Sequence, residues 1–214
     1  MGSLQDDQLL DTVNQRSSIR KCMGIKGDEK VVFIVSTWGP NSLFRKWGSS
    51  IIHEARKIKD KYRFIISIHP LEYKENPMGR RVLDEYIDAL KEEGFYIREP
   101  GEDWKQYLIA CDLIITDHTA LSLHGALIRR PFVYVPIPEG IVEQESPVSL
   151  LKNISPKLRD DAQDLQDKIT EALNSYRYDH LEEVAKTINS YPGESKKRIT
   201  KEIYELLGLE IPNI

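Results

Sequence analysis

Cysteine and long apolar runs are both scarce in this sequence of 214 residues. Its two cysteines, Cys22 and Cys111, have neither the close spacing nor the histidine companions of a zinc site. No stretch approaches the roughly 18 consecutive apolar residues that a membrane span requires. The N-terminus also lacks the charged and then apolar pattern of a signal peptide. We therefore expect a cytoplasmic protein without a membrane span.

An excess of basic residues is missing as well. Lysine and arginine total 30 against 34 aspartates and glutamates, which gives a net charge of −4, and the basic pairs are scattered. Nucleic-acid-binding proteins usually cluster basic residues on one face, so the charge argues against nucleic acid as a partner. The sequence has neither the glycine fingerprint of dinucleotide-binding dehydrogenases nor a Walker sequence, and no cluster resembles a metal site. We expect no cofactor.

Five short apolar runs alternate with segments of helical periodicity. Continuous runs such as Val31–Val35 are typical of strands that are buried on both faces of a parallel sheet. The helical segment 82–93 ends at Gly94, as expected of a C-cap glycine. The alternation predicts an α/β fold with a Rossmann-like, doubly wound parallel sheet. Predicted strands cover 31–35, 63–68, 95–97, 113–115 and 132–135, and predicted helices cover 49–61, 82–93, 121–128, 160–176 and 195–207.

The predicted domain organisation is simple, because a chain of this length suits one domain. Residues 1–30 are polar and are interpreted as an N-terminal extension with a short helix within 6–22. Residues 31–214 are interpreted as one Rossmann-like domain. The helix predicted at 195–207 is expected to cover the sheet.

Polar and aromatic side chains follow the predicted strands at the points where those strands end. In open α/β sheets, ligands bind outside the carboxyl ends of the strands, where the strand order reverses. Thr37, Trp38 and Gly39 follow the first run, His69 follows the second, and the segment 116–119 follows the fourth. These groups predict a binding crevice at one edge of the sheet.

The segment 116–119 consists of Thr116, Asp117, His118 and Thr119, and it leads from a buried strand directly into a helix. The start of a helix attracts phosphate through its dipole and its unpaired N–H groups, and hydroxyls add further donors. This arrangement predicts a diphosphate site. The alternative is that Thr116 or Asp117 only caps the helix, because these residue types cap helices in all kinds of protein.

His69 ends a strand that is otherwise apolar and stands before Pro70. It can donate to a diphosphate or stabilise the charge of a leaving group, which makes it the candidate catalytic residue. The alternative is a histidine that is satisfied by a backbone carbonyl. Trp38 is expected either to stack on a ligand or to pack beneath its loop, and Gly39 permits close approach of the backbone.

Taken in order, these segments resemble one enzyme family. IRKCMGIKGDEKVVFIVSTWG, SIHP and EDWKQYLIACDLIITDHTALSLHGALIRRPFVYV look like the C-terminal half of the CDP-glycerol glycerophosphotransferases. Those enzymes are teichoic-acid polymerases and primases with a GT-B-like fold, and their pattern is broadly similar to that of UDP-GlcNAc 2-epimerases. The resemblance covers about residues 19–208. It implies a donor-nucleotide-binding domain of the GT-B C-terminal type.

The family's motifs match named positions in this chain. Its threonine-containing loop is matched by Thr37, its His-Pro pair by His69-Pro70, and its Thr-Asp-Tyr-Ser-Ser segment by Thr-Asp-His-Thr-Ala at 116–120. The resemblance implies that His69 and the start of a helix at 118–128 contact the donor's diphosphate. Two departures, His-Thr-Ala for Tyr-Ser-Ser and the loop TWGPNSLF for a basic one, leave open whether the donor is CDP- or UDP-linked.

Three functions are compatible with this resemblance. The first is donor binding for a cell-wall polymer transferase that moves a glycerol-phosphate or sugar group to an acceptor hydroxyl. The second is a UDP-GlcNAc 2-epimerase-like domain, and the third is a non-catalytic nucleotide-binding or interaction module. The N-terminal half that gives a GT-B transferase its acceptor site has no room in 214 residues. We therefore expect a fragment of a longer enzyme or a binding domain in its own right, which associates with a partner domain or with itself.

Overall fold

A computed structural model describes residues 3–75, 79–174 and 178–212 of the chain. The strands are β1 (Lys30–Val35), β2 (Tyr62–Ser67), β3 (Tyr96–Ile97), β4 (Leu113–Thr116) and β5 (Phe132–Tyr134). They form a single sheet in the order β3-β2-β1-β4-β5, and every neighbouring pair is parallel. Each predicted apolar run matches one of these strands to within one residue at either end. The predicted α/β fold with a doubly wound parallel sheet is confirmed.

Helices occupy the connections between strands and both ends of the chain. The predicted helix at 49–61 begins earlier, because Ser42 caps it by accepting a hydrogen bond of 3.2 Å from the Arg45 N–H. The predicted helix at 160–176 begins at Leu165, and its last two residues lie outside the described residues. The helices are α1 (Leu4–Thr12), α2 (Arg16–Cys22), α3 (Leu43–Lys57), α4 (Glu72–Glu75), α5 (Arg80–Glu92), α6 (Trp104–Ala110), α7 (Leu121–Leu127), α8 (Pro147–Ile154), α9 (Leu165–Asn174), α10 (Tyr178–Ile188) and α11 (Ser195–Leu206), with a 3₁₀ turn at Val13–Gln15 between α1 and α2.

The sheet is buried on both faces, which explains why its strands are continuous apolar runs. Along β1, Val32 and Ile34 join the apolar cluster on one face, whereas Val31 and Phe33 join the cluster on the other. Successive side chains of a strand point to opposite faces, so only an uninterrupted apolar run fills both layers. Helices α3, α5 and α9 contribute to the first layer, and α1, α6 and α7 contribute to the second.

The strand order places the topological switch point between β1 and β4. From β1 the chain proceeds outward through β2 to β3, and it then crosses back to form β4 on the other side of β1. The helices that follow β1 and β4 therefore lie on opposite faces of the sheet, and a crevice opens between the two strand ends.

The N-terminal segment packs on the second layer. Leu9 is fully buried there, and Asp6 of α1 lies 2.9 Å from His124 Nδ1 of α7. The predicted division of the chain at residue 30 stays a prediction. Within the described ranges, none of the helices combines the length and the apolar character needed to cross a bilayer.

Candidate functional site

The carboxyl ends of the four longer strands finish level with one another. Val35 at the end of β1 pairs with Ser67 of β2 and Thr116 of β4, and Thr116 pairs with Tyr134 of β5. Neighbouring strands lie about 4.8 Å apart, so the residues that follow them form a continuous rim. Every residue predicted for the binding crevice lies on this rim.

Asp117, which follows β4, is hydrogen-bonded across the switch point to the loop after β1. Its side chain is fully buried, and its Oδ2 accepts hydrogen bonds from the N–H groups of Leu43 (2.7 Å) and Thr37 (3.0 Å) and from the Ser36 hydroxyl (3.3 Å). Its Oδ1 accepts from the Thr119 N–H at 2.9 Å. Burial raises the pKa of Asp117, and these backbone donors partly oppose that rise. The carboxylate therefore shapes the loop after β1.

Glu72 fixes the same loop from the side of β2. Its carboxylate is fully buried, with Oε1 accepting from the Gly39 N–H at 2.8 Å and Oε2 accepting from Arg45 Nε at 2.7 Å. Gly39 has φ +93°, a conformation that favours glycine. This backbone conformation occurs where the Gly39 N–H donates to the Glu72 carboxylate. Sequence reasoning missed Glu72, although a carboxylate three residues beyond His69 was a usable signal.

One ring nitrogen of His69 is hydrogen-bonded to the backbone. Its Nδ1 accepts a hydrogen bond of 3.2 Å from the Leu71 N–H, so the neutral ring carries its proton on Nε2. Burial lowers the pKa of His69, the carboxylates of Glu72 and Asp117 oppose this, and the Arg98 guanidinium adds to it. A backbone N–H, and not the backbone carbonyl of the alternative interpretation, therefore satisfies the ring on one side. The Nε2–H is the donor that this tautomer offers to a ligand.

Trp38 lies beside His69 and is not packed beneath its loop. The two ring centroids are 6.5 Å apart with planes tilted by 35°, and the indole is 44% exposed. Because the loop on either side is held by Asp117 and Glu72, the indole stands on a fixed backbone. The two rings form an aromatic wall at the rim.

Residues 116–119 turn directly into α7, but their side chains differ in access. Thr116 is fully buried, and Thr119 is nearly so, with its hydroxyl accepting from the Leu121 N–H at 3.4 Å. His118 is half-buried, and its Nδ1 is a buried atom without a hydrogen-bond partner in the described part of the chain. Ala120 is the N-cap of α7 and supplies no side-chain hydrogen bond, so neither Thr116 nor Asp117 caps that helix.

Gly125 allows α7 to lie close against the sheet. A Cβ at this position would stand 2.4 Å from Ile114 Cδ1 and 3.0 Å from the ring of Phe132. The close approach packs the second half of α7 against β4 and β5.

Arg98 is a second residue that sequence reasoning missed. It directly follows β3 and is 7% exposed, with Nε donating to the Ser67 hydroxyl at 2.8 Å and Nη1 donating to the Glu102 carbonyl at 2.7 Å. A buried guanidinium thus lies at the rim and fixes the loop before α6. Its position directly after the third apolar run was the available signal.

The rim continues past β5 as an open groove. A volume of about 480 Å³ is bounded there by Pro136 and by the segment 158–161. Among the described residues, no group of three or more histidine, cysteine, aspartate or glutamate side chains is placed to hold a metal ion. The groups at the rim are the imidazoles of His69 and His118, the indole of Trp38, hydroxyls and backbone N–H groups.

Several solved structures have a similar fold. Wall teichoic acid polymerase TagF is 16% identical, with a TM-score of 0.65 over 94% of this chain and 51% of its own. Anabaena Alr3699/HepE in complex with UDP and glucose is 16% identical, with a TM-score of 0.56 over 91% of this chain and 52% of its own. UDP-GlcNAc 2-epimerase from Methanocaldococcus jannaschii is 18% identical, with a TM-score of 0.60 over 95% of this chain and 55% of its own.

These similarities show the fold, which is that of one half of a GT-B protein, and this chain spans about half the length of the structures it matches. No protein of curated function matches the chain by sequence. A family model described as CDP-Glycerol:Poly(glycerophosphate) glycerophosphotransferase matches residues 1–205. The resemblance found from the motifs is confirmed, and the chain belongs to this glycerophosphotransferase family as a transferase-like domain.

Proposed function

We propose that the rim binds the diphosphate of a nucleotide-activated donor, CDP- or UDP-linked, for transfer of a glycerol-phosphate or sugar group to an acceptor hydroxyl. Residues 31–214 provide this donor domain, and the transfer itself belongs to the complete protein. The observation that carries the proposal is the state of His69. Its ring is held by a backbone N–H at Nδ1, which leaves the Nε2–H as a fixed donor at the carboxyl edge of the sheet, beside Trp38 of the loop after β1.

A neutral, oriented imidazole suits a leaving nucleotide. The leaving nucleotide gains negative charge as its bond to the transferred group breaks, and a hydrogen-bond donor held in place stabilises that charge without reorganising. Transfer of glycerol phosphate breaks the P–O–P bridge and releases the nucleoside monophosphate, whereas transfer of a sugar breaks the C–O bond and releases the nucleoside diphosphate. Burial lowers the pKa of His69, so the ring meets the donor as a hydrogen-bond donor and not as a permanent cation. We assign His69 this catalytic role.

The other rim residues divide into two groups by access. Trp38 and His118 keep exposed surface and are proposed to contact the donor, together with the backbone at Thr37, Gly39 and Thr119. The unpaired Nδ1 of His118 supports this assignment, because buried polar atoms without partners are rare outside functional sites. Thr116 and Asp117 are buried, and we propose that they shape the site from beneath.

The test is thermal stabilisation of the whole chain by CDP, UDP, ADP, GDP, CDP-glycerol and UDP-GlcNAc. A ligand that binds only the folded state adds about 2.7 kcal/mol at a hundredfold excess over its dissociation constant. We expect one nucleobase class to raise the midpoint. His69→Asn should abolish the shift, because asparagine can still accept the Leu71 N–H but has no donor at the Nε2 position.

His53 supplies the matched control, because its side chain is 66% exposed on α3 and away from the rim. His53→Asn should leave both the midpoint and the ligand shift unchanged. Stabilisation by no nucleotide, or an equal shift in wild type and His69→Asn, would overturn the assignment of this rim as a donor site.

A further inference from the structure

Helix α11 carries an apolar stripe that stays exposed. Ile199 is 41%, Ile203 47% and Leu206 84% exposed. Their spacing of four and three residues places them on one face of the helix. The stripe continues into the residues after the helix, at Leu207, Leu209 and Ile211, which are also exposed. Contiguous apolar surface of this kind marks an interaction site, because single exposed apolar residues are normally scattered.

The stripe is presented on a helix with a fixed start. Asp7 of α1 accepts hydrogen bonds from the N–H groups of Gly193 (2.9 Å) and Ser195 (2.7 Å), and the Ser195 hydroxyl also donates to it at 3.1 Å. The N-terminus of α11 is therefore anchored to the body of the protein by a carboxylate of another helix. A surface that is already ordered loses less entropy when it binds a partner.

The charges of α11 run against its own dipole. Helices favour acidic residues in the first turn and basic residues in the last, whereas α11 has no acidic residue in its first turn and no basic residue in its last. Three of its four basic residues, Lys196, Lys197 and Arg198, lie in the first half. Both acidic residues, Glu202 and Glu205, lie in the second half together with Lys201.

We propose that α11 pairs with α11 of a second copy of this chain, in an antiparallel arrangement with two-fold symmetry. A two-fold interface is self-complementary, and reversing the direction of the second helix sets the basic half of each α11 against the acidic half of the other. Ile199 then packs against Ile203 of the second copy. Arg198 lies beside Glu202 and Glu205 of the second copy. A parallel pairing would instead oppose like charges.

The predicted interface is small, so the association is weak. A helix of twelve residues is about 18 Å long, so two such helices bury less surface area than the roughly 1,600 Å² of a standard interface. We expect a monomer–dimer equilibrium with a dissociation constant in the range of about 10–100 µM. It should weaken as salt is added, because the flanking charges are exposed and screened.

Sedimentation equilibrium of the whole chain over a series of concentrations tests this inference. Ile203→Glu places like charges near the two-fold axis and should weaken dimerisation by at least about tenfold. Val82→Glu is the matched control, because Val82 is an aliphatic side chain of similar exposure, 45%, on α5. It should leave the equilibrium unchanged.

Charge reversal separates the antiparallel arrangement from simple apolar contact. Arg198→Glu and Glu205→Arg should each weaken the dimer. The double variant should restore part of the affinity, because residues 198 and 205 are then again opposite in charge across the axis. Circular dichroism of each variant shows whether α11 remains folded. A chain that stays monomeric over the whole series, a dimer insensitive to Ile203→Glu, or a double variant as weak as the singles would each overturn the proposal.

Discussion

The two edges of the sheet both carry buried charge, but they use it differently. At the amino edge, Asp112 accepts hydrogen bonds from Arg16 (3.0 Å), Arg20 (3.1 Å) and the Val31 N–H (2.9 Å). Arg16 and Arg20 also donate to the carbonyl of Ala110 at the end of α6, where a positive charge suits the helix dipole. These ion pairs and hydrogen bonds link α2 to β1 and to the end of α6.

At the carboxyl edge, the buried carboxylates bind mainly backbone N–H groups. Asp117 and Glu72 between them hold Thr37, Gly39 and Leu43 of the loop after β1. Among the described residues, the buried Nδ1 of His118 is left without a hydrogen-bond partner at this edge, whereas the Arg16 and Arg20 guanidinium groups of the amino edge each donate several hydrogen bonds. A carboxylate that neutralises a cation stabilises the fold, but one that binds backbone positions a loop and leaves other donors for a ligand.

Among the substitutions that test this difference between the two edges, the largest loss of stability is expected at the amino edge. Asp112→Ala leaves the Arg20 guanidinium, whose side chain is 8% exposed, without its charge partner. Loss of one member of such a pair should lower the free energy of unfolding by about 3 kcal/mol. Urea denaturation measures this loss, and nucleotide binding by the fraction that remains folded should be unchanged.

Lys30 gives the control for this prediction. Its Nζ lies 3.8 Å from Asp112 and its side chain is 57% exposed, so the ion pair is in solvent. Lys30→Ala should change the free energy of unfolding by less than about 1 kcal/mol. Equal losses in Lys30→Ala and Asp112→Ala would show that Asp112 acts through surface charge and not through its buried ion pairs.

A smaller loss of stability, joined to a loss of binding, is expected at the carboxyl edge. Asp117→Asn replaces one acceptor oxygen with an NH₂ group that faces the N–H groups of Thr37, Leu43 and Thr119. An unmatched buried donor should lower the free energy of unfolding by about 2 kcal/mol. Because the loop after β1 is then displaced, the nucleotide-induced shift in melting temperature should fall as well.

The comparison with Ser42→Ala sharpens that prediction. Ser42 is buried and caps α3, but it makes no bond to Asp117. Removing this cap should cost about 1 kcal/mol of stability and leave the nucleotide-induced shift intact. If both variants lose stability and both keep binding, Asp117 does not position the rim.

Much of the fold could be predicted from sequence because the strands are buried on both faces. A run such as Ile114-Ile115 or Val31–Val35 has one plausible place in a soluble α/β domain, and Gly94 ends its helix where expected. Helix starts were less predictable. The cap at Ser42 was not recognised beside Pro40, and the helix α8, which begins at Pro147 after Ser146, was missed although that pair is a standard start signal.

The residues of the rim could be located from sequence, but their partners could not. Strand ends show that His69 and Asp117 share an edge, because parallel strands finish on the same side. Whether Asp117 faces a ligand or three backbone N–H groups depends on how the loop after β1 folds, and no local pattern encodes that. Glu72 and Arg98 stand close to strand ends in the sequence, which was a usable signal of position, but their partners Gly39 and Ser67 are distant in sequence and could not be predicted.

The smallest effect expected at the carboxyl edge is a dependence of donor binding on pH. The pKa of His69 is lowered from 6.5, so protonation destabilises the free protein, and the stability that the neutral ring contributes falls as the pH drops below 6.5. A bound diphosphate favours the protonated ring and reverses this preference. The affinity for CDP-glycerol or UDP-GlcNAc, whose diphosphates have no proton to lose near neutrality, should rise about threefold per pH unit below 6.5. Calorimetry in two buffers of different ionisation enthalpy measures the proton uptake.

His69→Gln can still donate near the Nε2 position but cannot titrate, so it should keep part of the affinity and lose the pH dependence. An unchanged pH dependence in this variant would assign the proton to another group and leave the rim without a role for the His69 charge.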